Sequence, residues 1–107
     1  MNTYFVLLKD KKQGTLDTVL LEKHVEHLKH MECEGRLKLC GPFEDNESAM
    51  QILLARDQDE AARLIEADPF IAEGYYASYE VKKLYEANAD NNWLMTHDQT
   101  ESNLSGA

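Results

Sequence analysis

Between residues 3 and 85 the hydrophobic pattern alternates between strand-like and helical runs in the order β-α-β-β-α-β, and few folds satisfy that order. Residues 3–9, TYFVLLK, are β-branched and aromatic without helical spacing, and read as a first strand buried on both faces. A helix follows over residues 16–35, with Leu20, Leu21, Val25, Leu28 and Met31 on one face, Thr15 or Asp17 as its cap and Gly35 just past its end. Residues 36–41, RLKLCG, form a second strand closed by the Gly41-Pro42 turn, and residues 50–56, MQILLAR, a third. Asp57-Gln58-Asp59-Glu60 has capping-box spacing, with Asp57 accepting from backbone amides and Glu60 reaching back. The helix it starts runs to about Ala67 and is stopped by Pro69. Residues 75–85 alternate as a long final strand, with Tyr75, Ala77, Tyr79 and Val81 on one face. The sum is an α+β, ferredoxin-like split β-α-β with an antiparallel sheet and two helices on one face. The other face then needs covering, which predicts a homodimer packed sheet to sheet, with Tyr75, Tyr79 and Tyr85 in the contact.

Composition excludes several partners. The chain has 107 residues, one domain's worth, with 43% hydrophobic and 29% charged residues. Its net charge is −9 and its basic residues are scattered, so a nucleic acid is not an expected partner. No apolar run is long enough to span a membrane, and the N-terminus lacks a leader pattern, so a cytoplasmic location is expected. Cys33 and Cys40 fit neither a disulfide framework nor a metal knuckle and read as reduced thiols. Residues 1–85 make the α+β domain. Residues 86–107 form a polar C-terminal extension without lysine or arginine, its last dozen residues expected to be disordered. Within it Trp93-Leu94-Met95 reads as a hydrophobic clip onto the domain's own surface, or else as a lid or arm toward a second subunit.

Two residues stand out chemically. His24 falls within roughly 30° of the middle of the first helix's apolar face, whereas His30 points to the charged side. A ring in that position is either a structural histidine bonded to a carbonyl or a general base in a half-buried cleft. His24, His27 and His30 spread over about 120°, so no metal is expected. No GxGxxG, P-loop or GxSxG motif occurs, and no cofactor is expected. Asp68 sits at a helix C-terminus, where the macrodipole disfavours a carboxylate. Either it makes an Asx-type turn beyond Pro69 or it contacts His24, which the split β-α-β fold puts on the same side of the sheet.

His24 within EKHVEHLKHM, Gly41-Pro42 after a short strand and Asp68-Pro69-Phe70 before the last strand together resemble the YciI-like proteins of the dimeric α+β barrel superfamily. The resemblance covers residues 3–85. It implies a ferredoxin-like dimer whose active site holds a histidine–aspartate pair, here His24 and Asp68 as catalytic residues. Two departures accompany it: Leu21 stands where an arginine is frequent, and the loop FEDNES lacks the usual glycines. One relative in that family is similar to a dehydrochlorinase of chlorinated hydroxyquinols, and the superfamily includes muconolactone isomerases and monooxygenases. The expectation is therefore a lyase or isomerase that abstracts a proton from a small molecule, with Gly41, Pro42, Phe43, Phe70 and Tyr75 forming the binding wall. The alternative is a non-catalytic binding or accessory protein that uses the same cleft for a small ligand.

Overall fold

A computed structural model describes residues 1–104. Strand β1 (Asn2–Lys11) leads to helix α1 (Thr18–Cys33), β2 (Leu37–Pro42), β3 (Ala49–Ala55), α2 (Gln58–Glu66), a four-residue helix α3 (Pro69–Ala72) and β4 (Tyr76–Leu84). The sheet order is β2-β3-β1-β4 and every neighbouring pair is antiparallel, which is the expected ferredoxin-like arrangement. Of the two candidate caps for α1, Asp17 is the one used, its side chain accepting from the Val19 amide. Gly35 follows the helix at φ +73°, the left-handed conformation that lets the chain turn into β2.

Register decides which side chains meet the helices. Tyr4, Val6 and Leu8 of β1 stand opposite Leu53, Gln51 and Ala49 of β3, and Val6 and Leu8 also face Val81 and Tyr79 of β4. This face packs under the helices: Val6, Leu8, Met31, Leu53, Ile65, Phe70 and Tyr76 form one buried cluster, and Tyr4, Ala55 and Ala61 a second. The other face carries Phe5, Leu7, Ile52 and Leu54, of which Ile52 is already buried. Two expectations change here. Strand β1 is buried on its helix side and only half-buried on the other. Tyr79 and Val81 pack on the helix-side core, so the apolar character of the open face comes from β1 and β3 instead.

The capping residues also differ in part. Asp57 accepts from the Glu60 amide as its spacing predicts, but the Glu60 carboxylate does not reach back to it. Arg36 and Arg56 draw that carboxylate away. Asp68 is not the end of α2, which closes at Ala67; it is the N-cap of α3, with Pro69 at the first helical position. A carboxylate there is favoured by the helix start it caps rather than opposed by a helix end.

Beyond β4 the chain makes a 3₁₀ turn (Ala89–Leu94), tied by reciprocal Asn88 and Asn91 side-chain bonds, then helix α4 (Asp98–Leu104), where composition had suggested disorder. The His97 ring caps α4 by accepting from the Gln99 amide. Trp93 and Met95 are 63% and 62% exposed, so this segment is no clip onto the domain's own surface. The molecule measures 50 Å along its longest axis, with a radius of gyration of 16.1 Å. A compact chain of this length would have about 13 Å.

Candidate active site

Helix α1 delivers His24 to the inner face of the sheet, and the α2–α3 corner delivers Asp68 against it. Their contact is short, His24 Nδ1 to Asp68 Oδ1 at 2.7 Å, with the carboxylate fully buried and the ring 13% exposed. The same Oδ1 accepts the Phe70 amide at 2.9 Å, and Oδ2 accepts Gln51 Nε2 at 2.8 Å. Thus the Asx-type bond and the contact with His24 coexist on one side chain. Because the amide and the NH₂ group can only donate, the carboxylate serves as acceptor throughout, and the ring's proton belongs on Nδ1. Nε2 is left with its lone pair and no hydrogen bond among the described residues.

Phe70 locks the ring from the side. The two planes stack at 3.7 Å between centroids and 6° apart, and Tyr75 in turn leans on Phe70 at 4.7 Å. The ring of His24 therefore has one face, one edge and one nitrogen fixed by neighbours.

The site opens into a cavity of about 350 Å³ lined by α1, β2, β3 and the β4 entry. Its walls are mostly apolar: Leu8, Leu16, Leu21, Val25, Leu28 and Met50, with the Phe70 and Tyr75 rings beside His24. Gly41 and Pro42 line it as expected. Phe43 does not; the Phe43–Asn46 turn sends its side chain toward solvent, 43% exposed, and Asn46 lines the cavity in its stead. Cys40 lies on the wall opposite Gln51, and burial first, then the Asp68 charge, holds its thiol above the ordinary cysteine range. It stays a neutral thiol near neutral pH. The other two α1 histidines have separate duties: His27 Nε2 donates to the Leu64 carbonyl at 3.1 Å, and His30 lies 3.2 Å from Glu34 on the surface.

Gln51 is the residue that sequence reading missed. It is 2% exposed, it supplies the second oxygen of Asp68 with a donor, and its own Oε1 has no partner among the described residues. A glutamine in an alternating strand normally signals a solvated face. Here it points into the core because Val6, its cross-strand partner, does so.

Comparison with known proteins places these residues in a wider group. The YCII-related domain family matches residues 3–85. The uncharacterized protein YjpA of Bacillus subtilis is 39% identical over 74 residues, which span 69% of this chain and 85% of that protein. Among solved structures, 5-chloro-2-hydroxyhydroquinone dehydrochlorinase (TftG) of Burkholderia phenoliruptrix, in complex with 2,5-dihydroxybenzoquinone, superposes with a TM-score of 0.56 at 22% identity. That likeness covers 83% of this chain and 99% of the dehydrochlorinase. At this identity it speaks for the fold.

Proposed function

Because this chain belongs to the YCII-related domain family, we propose that it is a small-molecule lyase or isomerase in which His24 acts as general base and Asp68 as the group that sets its tautomer. The observation that carries this reading is the buried Asp68 carboxylate, which takes hydrogen bonds from His24, Gln51 and Phe70 and leaves only Nε2 of the ring for chemistry. Nε2 abstracts a proton from the bound ligand, and the developing imidazolium is stabilised by the carboxylate on its other nitrogen. In a lyase the electron pair released expels a leaving group; in an isomerase the same proton returns at another atom. The structural relative bound to a dihydroxybenzoquinone gives a precedent for a small ring in this fold.

The cavity wall refines the ligand. Leu21, rather than a cation, lines the cavity, and no lysine or arginine does. An uncharged, largely apolar ring suits it better than an anionic one. The same wall supports the second reading, a binding protein without turnover, since an apolar cavity holds a ring whether or not the base acts. A homodimer, with the open faces of two sheets together, completes the proposed assembly.

A ligand panel followed by turnover assays separates the two readings. Compounds are first ranked by thermal shift, and each hit is then incubated with wild type and His24→Ala. Product formed by wild type and reduced about 10²-fold or more in His24→Ala is the expected result. Stabilisation by ligands with no turnover in either protein would establish pure binding.

A further inference from the structure

A second pocket, which shares no lining residue with the His24 cavity, lies where the start of β2, the end of β3 and α2 meet. Its volume is about 260 Å³, and it is lined by Glu34, Arg36, Arg56, Glu60, Arg63 and Leu64. These are all the arginines the chain possesses, brought to one place by three different segments of a protein with net charge −9. The lysines are spread elsewhere over the sequence, and none lines this pocket.

An internal ion pair explains only part of the cluster. Glu60 is buried, and its carboxylate accepts from Arg36 Nη1 and, at 2.6 Å, from Arg56 Nε. One carboxylate thus orients two guanidinium groups while neutralising one. Arg63 has no ion pair among the described residues, and Glu34, the other acid at the rim, lies 3.2 Å from His30. Positive charge is left in excess, on side chains whose positions are set beforehand. Hydrogen bonding to Arg36 holds the Glu60 carboxyl well below its usual range, so the anchor stays ionised across the physiological range.

We propose that the Arg36, Arg56 and Arg63 pocket is a binding site for a phosphate or phosphomonoester group. Guanidinium groups offer planar pairs of N–H donors that match the oxygens of such an anion, a geometry lysine does not provide. Glu60 is a positioning residue: it aims Arg36 and Arg56 and touches no ligand. The site is independent of the chemistry proposed at His24, since the two pockets have no lining residue in common.

The test is a titration of the full chain with inorganic phosphate at constant ionic strength, followed by NMR on the arginine Nε–Hε signals. Saturating shifts of these signals are expected, with chloride at matched ionic strength causing none. Arg63→Gln, at an exposed position with no ion pair among the described residues, and Arg56→Gln, which leaves Arg36 on Glu60, should each weaken phosphate binding about ten-fold, with far-ultraviolet spectra unchanged from wild type, as expected for losing a charge-assisted hydrogen bond. The His24 ring signals should be unchanged in both variants. Shifts that never saturate, or that chloride reproduces, would reduce the effect to screening and overturn the proposal. Saturable binding of equal strength in wild type and both variants would mean an adventitious ion only.

Discussion

Asp68 accepts hydrogen bonds from one ring, one amide and one glutamine with two oxygens that no water reaches, a demand that only a carboxylate of this length satisfies. In Asp68→Asn one oxygen becomes an NH₂ group and faces a donor, so a buried donor goes unpaired at about 1–3 kcal/mol. That loss should appear in urea unfolding. Nitrogen chemical shifts of the His24 ring should report Nδ1–H in wild type and a mixture of tautomers in Asp68→Asn, with turnover, if the proposed mechanism holds, falling by about 10²-fold or more. An unchanged tautomer would disprove the positioning role. Gln51 gives a contrasting case, because its Nε2 serves Asp68 while its Oε1 is buried without a partner. Replacing it by leucine removes one good bond and one orphan acceptor together, so Gln51→Leu should change stability by less than about 1 kcal/mol. The loosened carboxylate should still lower turnover, and this separation of stability from activity is the readout. None of this was visible in the sequence, where Gln51 looks like a surface residue and only the pairing of β1 with β3 turns it inward. His24 stood out in the sequence by its helical phase, and Asp68 as a carboxylate at a helix end before Pro69, with the family resemblance joining the two.

At the level of elements, the strands and both long helices could be read from period and capping residues, with Asp17 and Asp57 starting the helices, Gly35 following α1 and Pro42 closing β2. The short helix α3 could not be read that way. Pro69 stops a helix and also starts one, and four residues carry too little periodicity to tell the two apart. Glu60 shows the same limit from another side: its spacing fits a capping box, yet Arg36, from the start of β2, and Arg56, just before the cap, compete for it and win because they are charged. That network fastens α2 to the ends of β2 and β3, and it gives the fold a defined acid sensitivity. Hydrogen bonding to Arg36, opposed by burial and aided by Arg56, lowers the Glu60 carboxyl from 4.5 to about 2. A lowered folded value means stability that is fully present above the unfolded value and lost as pH falls through the folded one. Urea midpoints measured from pH 7 down to pH 2 should therefore drop for wild type across the interval from 4.5 to about 2. Glu60→Gln should be less stable at pH 7 and flatter over that interval; parallel curves would show that Glu60 does not link folding to pH.

Taken whole, the molecule has one finished face and one unfinished face. Helices α1, α2 and α3 cover one side of the sheet, while Phe5, Leu7 and Leu54 stand half-buried on the other, around the buried Ile52. The Lys9–Glu80 ion pair, in register with this surface, gives it a polar edge, so the apolar part is centred on β1 and β3. Contiguous apolar surface on a sheet face marks a site where a partner binds. Two copies placed sheet to sheet would bury an interface of about 1,600 Å², the size of a stable complex. Residues 86–104 carry Trp93 and Met95 exposed, as an arm reaching a second copy would. Light scattering at low micromolar concentration should give twice the 12.3 kDa chain mass. Leu7→Glu puts an unpaired charge in the middle of the proposed contact without touching the helix-side core, and it should shift the mass toward the monomer while the far-ultraviolet spectrum stays that of wild type. A wild-type monomer would mean that the open face is tolerated in water. A Leu7→Glu dimer would place the interface elsewhere, with the exposed arm as the next surface to alter.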